Sequence, residues 1–304
     1  MKRMKPVWRW LVNNITFFTY VESLRYRSEA KFLNRISDTI KPTIHFIHVY
    51  YTNNTGDLAC GYYQYCMPFF KDYNCVIHNI RHVNFNMIKK SDIVIVGGGG
   101  LINALNEWNY SINKAIRLAG KSILWSAGYN SFLGKCKIEI DFSRFTLKAI
   151  RDFNHSSGLR YVPCATCLSP LFMKQYDKKR RLGIVVHKNF KDVPEEIRGC
   201  QVIENTCSIE EMVSFIAESE VIVTSSYHAA YWSSLLKTKC VIFSVHSVKF
   251  EFFKYKPVVY SGNIEKDILD ARVYDNALSE SQKDVSEFRD QIYHLIESSC
   301  ANKN

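Results

Sequence analysis

Short apolar runs alternate with helical periods along most of the chain. Residues 43–51, 75–80, 92–96 and 121–127 are each short, rich in β-branched or aromatic side chains, and bounded by polar residues or glycine, as strands are. Between the third and fourth runs, Trp108, Ile112, Ala115, Ile116 and Ala119 share one helical face, and Gly120 stands at the C-terminal stop. The second half repeats the pattern, with strands expected over 182–187, 201–204, 221–224 and 241–245. Ser208 with Glu211 three residues on forms a capping box, and Ile209, Met212, Val213 and Ile216 make the buried stripe of the helix it opens. Near the end, Val285, Phe288, Ile292 and Leu295 keep helical spacing. Strand-helix alternation of this kind predicts an α/β fold with parallel sheets and crossover helices. The polar run 174–181 reads as a linker. The expected division is a leader over 1–41, an N-terminal Rossmann-like domain over 42–173, and a C-terminal Rossmann-like domain with a terminal helix over 174–304.

A length of 304 residues suits two such domains. No stretch approaches ~18 uninterrupted apolar residues, so no transmembrane span is expected. Asn13 and Asn14 interrupt the apolar run behind the basic start, which leaves no clear signal peptide and predicts a cytoplasmic protein. The net charge of +11 is uneven: residues 1–41 hold nine Lys or Arg against three acids, a balance of +6. Trp8, Trp10, Leu11, Phe17, Phe18 and Tyr20 share that segment. Basic and aromatic residues together suit an anionic membrane surface, which would place the protein peripherally at the inner face of the membrane. A solvated amphipathic helix packed on the first domain explains the same pattern equally well. Nucleic acid is not expected as a partner, because over half of the charge lies outside the motif-bearing region.

Ten cysteines are many for a cytoplasmic chain. Most, like Cys66, Cys75 and Cys240, sit in apolar surroundings and read as small core residues. Cys164 and Cys167 have the spacing of a redox or zinc pair, but no second ligand pair stands at suitable distance along the chain. No motif demands a metal.

Three turns could receive an anion. In open parallel sheets ligands bind beyond the carboxyl ends of strands, where helix starts offer unpaired N–H groups. The first turn is Asn53, Asn54, Thr55, Gly56 and Asp57, in which Asp57 can cap a helix. The second is Gly97, Gly98, Gly99 and Gly100, directly behind a strand. Its glycines allow close approach of a ligand to the backbone, and the spacing is neither a dinucleotide fingerprint nor a Walker loop. The third is Thr224, Ser225, Ser226, Tyr227 and His228, where hydroxyls precede an imidazole able to act as acid or base. Between them, Arg151 and Asp152 follow an apolar run over 145–150. Arg151 could grip a carboxylate or phosphate in bidentate fashion, or make an ordinary surface ion pair with Asp152.

In this order, the Asn54-Thr55-Gly56-Asp57 turn, the run from Asp92 to Gly100, Arg151-Asp152, and Ser225-Ser226-Tyr227-His228 resemble the polysaccharide pyruvyl transferase family. The likeness covers roughly residues 43–250. It departs at His155, where the family has serine, and at Tyr227, where some members have arginine. Lys249, behind the last strand, could supply that charge. The resemblance implies a GT-B-like architecture, two Rossmann-like domains facing a central cleft. It implies transfer of the pyruvyl group of phosphoenolpyruvate, as donor substrate without a further cofactor, onto hydroxyls of a cell-surface polysaccharide or a lipid-linked saccharide precursor. His228 would be catalytic. Asn54, Gly56, Asp57, the four glycines, Arg151, Ser225, Ser226, Tyr227 and Lys249 would bind substrate. A GT-B glycosyltransferase with a sugar-nucleotide donor is the alternative, and a basic membrane-surface or nucleic-acid-binding protein without enzymatic activity is a third reading.

Overall fold

The computed structural model describes residues 30–36, 41–131 and 136–301, apart from the side chains of 299–301. The expectations for residues 1–29 and 37–40 lie outside the described residues.

The N-terminal sheet is built from β1 (Ala30–Asn34), β2 (Ile44–His48), β3 (Cys75–Asn79), β4 (Ile93–Gly97), β5 (Lys121–Ala127), β6 (Leu147–Ile150) and β7 (Arg160–Tyr161). Their spatial order is β1-β3-β2-β4-β5-β6-β7, with β1 antiparallel to β3 and the other pairs parallel. The pleat sends Ile93 and Ile95 to one face and Val94 and Val96 to the other. Both faces are buried, as crossover helices require. Helices α1 (Thr55–Ala59), α2 (Tyr63–Cys66) and α3 (Asn106–Leu118) lie in the connections. The stripe expected on α3 is observed: Trp108, Ile112, Ala115 and Ile116 pack with Val94, Val96 and Leu124.

The C-terminal sheet contains β8 (Arg180–Val186), β9 (Gln201–Glu204), β10 (Ser219–Thr224), β11 (Lys239–Ile242) and β12 (Val258–Val259), in the order β12-β11-β10-β8-β9, all parallel. Its helices are α4 (Ile209–Ala217), α5 (Tyr227–Leu235), α6 (Ile264–Asp270) and the long α7 (Ala277–Ala301). Ser208 caps α4 by accepting from the Glu211 N–H at 3.1 Å. The two Rossmann-like domains face each other across a cleft, a GT-B-like architecture.

Three boundaries differ from the sequence reading. Part of the basic leader belongs to the first sheet, because residues 30–34 form its edge strand β1. Residues before the expected linker already pack on the second domain: Phe172 meets Trp232 of α5, and the Trp232 indole donates to Thr166 at 3.0 Å. Helix α7 returns to the first domain. Phe288 packs edge-on against Trp125 of β5, Tyr293 packs against Phe69, and the Tyr73 hydroxyl donates to Glu297 at 2.9 Å. Val285, Phe288, Ile292 and Ile296 are fully buried there, in a core continuous with Val185, Ile222 and Ile242 of the second sheet.

Candidate functional site

In each sheet the first of the parallel strands lies inside the sheet, not at an edge. Strand β2 has β3 on one side and β4 on the other, and β8 has β9 and β10. The chain therefore leaves in opposite directions from neighbouring strand ends, opening a crevice where ligands bind. Both crevices open on the interdomain cleft. From the first come His48 at the end of β2 and the glycines behind β4. From the second come His187 behind β8 and the turn behind β10. The cleft is lined by these and by Asn54, Asp57, Asn130, Arg151, Ser226, Tyr227, His228 and Lys249, around a water-accessible volume of about 90 Å³.

Direct contacts hold the walls together. The Thr55 N–H donates to the Asn205 carbonyl at 2.8 Å, Ser247 donates to the Asn130 side chain at 2.9 Å, and the Phe153 N–H donates to the Phe252 carbonyl at 3.0 Å.

In the first turn Asn54, not Asp57, caps the helix: its side-chain oxygen accepts from the N–H groups of Gly56 and Asp57. Asp57 faces the cleft instead. Gly56 does not line it. A Cβ at Gly56 would lie 2.1 Å from Nδ1 of His228, so its role is to let that ring pack against α1.

The glycine run divides in the same way. A Cβ on Gly97 would lie 2.0 Å from the Trp125 carbonyl oxygen, so Gly97 serves close strand packing and is not part of the lining. Gly98 and Gly99 have φ of +74° and +78°, which glycine adopts without strain, and with Gly100 they form one wall. A Cβ on Gly99 would meet nothing nearer than Cys60 at 3.5 Å and Asp57 at 3.6 Å.

In the third turn Ser225 is structural. Its hydroxyl donates to the Phe190 carbonyl at 2.7 Å and accepts from the His187 N–H at 2.9 Å. Thr224 likewise holds the turn, and only Ser226, Tyr227 and His228 reach the cleft. Nε2 of His228 lies 3.9 Å from the Cys164 sulfur.

Arg151 is the most unusual group. It is 3% exposed, and its Nε and Nη1 lack a hydrogen-bond partner. Gly128 makes room for it, since a Cβ there would lie 2.4 Å from Nε. The Tyr227 ring lies 4.0 Å from the guanidinium carbon and is itself stacked on Phe253, so Tyr227 supports a cation rather than supplying one. Asp152 accepts from the Tyr129 N–H at 2.7 Å, and burial pushes its carboxyl up to about 6 against the pull of Arg151. The second cation is Lys249, 9% exposed. Burial brings its ammonium down to about 8, helped by the charge of Arg151 and opposed by Asp57. His155 lies at the domain boundary, stacked on Tyr129 and edge-on to Phe252.

The sequence reading missed His48, His187 and Asn130. Burial and then the charge of Lys249 push His187 down to about 4, so it is neutral at pH 7, and its Nδ1 accepts from the Asn189 N–H. His48 ties two segments of the first domain together, with Nδ1 3.0 Å from the Gly97 carbonyl oxygen and Nε2 2.7 Å from that of Asp57. Burial lowers its proton affinity. Both histidines stand at carboxyl ends of central strands, which is the signal that could have found them. The spacing of Cys164 and Cys167 proves misleading. Cys164 approaches Cys60 and His228 instead, all three buried with ligand atoms within 4.8 Å of one another. Burial opposes ionisation of Cys164, but hydrogen bonding with Cys60 and His228 outweighs it and holds the thiol below its ordinary value.

No protein-family model and no curated protein matches the chain. Similar solved structures include an uncharacterised protein from Klebsiella pneumoniae, 15% identical, covering 67% of this chain and 83% of that one at a TM-score of 0.46. They also include a UDP-GlcNAc 2-epimerase from Methanocaldococcus jannaschii, 11% identical, covering 84% of this chain and 100% of that one at a TM-score of 0.48. At such identities and scores the chemistry rests on this chain's own residues. No helix among the described residues is long and apolar enough to cross a membrane.

Proposed function

We propose that the chain is a pyruvyl transferase that takes phosphoenolpyruvate as donor and a saccharide carrying two hydroxyls as acceptor. The observation that carries the reading is Arg151, a buried guanidinium whose Nε and Nη1 have no hydrogen-bond partner, in the lining of a cleft that also holds Lys249 and the start of α5. Buried donors of a cation left without a hydrogen-bond partner are costly, and a small anion removes the cost. Phosphoenolpyruvate carries a phosphate and a carboxylate, one for each cation.

The chemistry divides into steps that these residues can serve. C3 of the donor gains a proton and becomes a methyl group while C2 becomes electrophilic. One acceptor hydroxyl adds to C2, the C2–O bond to phosphate breaks, and the second hydroxyl closes the ketal. The two hydroxyl protons balance the one gained at C3 and the one carried off on phosphate. His228, at the start of α5 and facing the cleft, is the proton donor or acceptor for these transfers. Whichever of Arg151 and Lys249 meets the phosphate holds the charge that develops on it as it leaves, while the other keeps the carboxylate in place.

The test is release of phosphate from phosphoenolpyruvate in the presence of candidate glycans, with ketal formation followed by mass spectrometry. His228→Ala should reduce turnover by at least about 100-fold, the scale of a lost acid/base group. Failure of phosphoenolpyruvate to bind, together with thermal stabilisation by a nucleotide sugar, would transfer the reading to glycosyl transfer.

A further inference from the structure

The chain brings two thiols and an imidazole together from three distant places. Cys60 closes the C-terminus of α1 in the first domain. Cys164 lies just beyond β7, at the passage between the domains. His228 opens the first turn of α5 in the second domain. All three are at least 95% buried, with exposures of 0%, 2% and 5%. The Cys164 sulfur is 3.9 Å from His228 Nε2, and the three ligand atoms lie within 4.8 Å of one another.

We propose that Cys60, Cys164 and His228 form a site for a single zinc ion, with one coordination position left open. A tetrahedral ion with bonds of about 2.3 Å to sulfur and about 2.0 Å to nitrogen needs its ligand atoms roughly 3.6–3.8 Å apart. The observed Cys164–His228 separation is close to that, and the widest separation must contract by only about 1 Å. Two thiolates and an imidazole make a donor set that favours zinc over magnesium or calcium. They bring two negative charges, which one dication neutralises.

The outer shell is arranged for this. The Trp232 indole N–H donates to the Thr166 hydroxyl at 3.0 Å, which leaves that hydroxyl's own proton for the Cys164 sulfur at 3.5 Å. The Tyr231 hydroxyl fixes the Cys164 carbonyl at 3.1 Å. Such partners orient a ligand and set its basicity. Among the described residues no fourth side chain joins the group, so the remaining position falls to water or substrate, as in zinc sites that do chemistry rather than only hold a fold.

The site is independent of the donor's identity, because metal binding is read without turnover. It does bear on the proposed chemistry: an ion on Nε2 takes His228 out of proton transfer, a part that then falls to the water in the open position, and clamps the two domains together beneath the cleft.

The full-length protein, reduced, stripped with chelator and kept anaerobic, is titrated with cobalt(II). The expected result is a thiolate-to-cobalt charge-transfer band with the visible bands of a tetrahedral ion, saturating at one cobalt per chain and displaced by zinc. Cys60→Ser and Cys164→Ser should each lose the saturable band, and His228→Gln should weaken binding at least tenfold. Cys75→Ser, a buried thiol outside the group, should leave the band intact. X-ray absorption of the zinc-loaded, unsubstituted chain gives a reading free of any folding defect in the variants, and two sulfurs with nitrogen or oxygen neighbours are expected. The proposal is overturned by a shell of nitrogen and oxygen only, by the absence of the charge-transfer band, or by a band that survives both serine substitutions.

Discussion

Arg151 and Lys249 make testable claims one side chain at a time. Hydrogen bonds to a charged group contribute about 1.5–3 kcal/mol, so Arg151→Met should weaken phosphoenolpyruvate binding by about 10- to 100-fold in calorimetry. Arg151→Lys should recover part of the loss, since it restores charge but not the planar fork. Lys249 adds a pH dependence whose sign follows from its lowered proton affinity. Below about pH 8 the ammonium is already charged in the free protein and binding needs no proton. Above that, each anion bound must draw in a proton, so affinity should stay level up to about pH 8 and fall beyond it. A Lys249→Met variant should flatten that fall; a fall that persists in the variant would assign it elsewhere. These two residues, with Asn54, Asp57, Gly98, Gly99, Gly100, Ser226, Tyr227 and His228, were legible in the sequence because each follows a strand in a parallel sheet. Gly56, Gly97 and Ser225 belong to the same motifs, but their role is packing, which neighbours distant in sequence decide. Cys60 was invisible for the same reason: its meeting with Cys164 is made only when β2 and the passage behind β7 come together.

At the scale of elements, helix α1 is held as closely as any catalytic group. It is only a turn and a half long, and its N-terminal N–H groups are taken by Asn54 and by Asn205 of the opposite domain. That leaves it little freedom to retreat from α5. Gly56→Ala should therefore destabilise the protein by about 1–3 kcal/mol, the range for inserting a methyl where packing is tight. Urea denaturation measures the loss, and the displaced His228 ring should lower turnover in the same variant. Unchanged stability would show that α1 can move aside. The central strands were readable because they are apolar on both faces and short. Strand β1 was not, since an edge strand carrying Lys31 and an exposed Phe32 lacks a clean period and sits among basic residues. The antiparallel partnership with β3 is a tertiary fact that local pattern does not encode.

The whole molecule depends on α7, whose helical spacing was plain in the sequence but whose destination was not. A terminal helix following the second domain would ordinarily be assigned to it. Here the buried stripe serves both domains, because the core around Trp125 runs without interruption into that of the second sheet. Phe288 is the central residue of the stripe. It is fully buried, packs edge-on against Trp125 at 6.0 Å between ring centroids, and has the Arg160 guanidinium over its ring at 5.6 Å. Removing such a side chain costs about 3–5 kcal/mol through lost transfer energy and the cavity left behind. If α7 joins the domains into one cooperative unit, Phe288→Ala should lower a single calorimetric transition without splitting it. If the domains fold separately, the variant should instead lower one transition and leave a second at its original temperature. The distinction reaches the cleft. With Arg151 on one wall and Lys249 on the other, an anion can gather both cations only while the walls stay in register. The variant should then weaken phosphoenolpyruvate binding even though Phe288 does not line the cleft, and restoring bulk with Phe288→Leu should recover most of both losses.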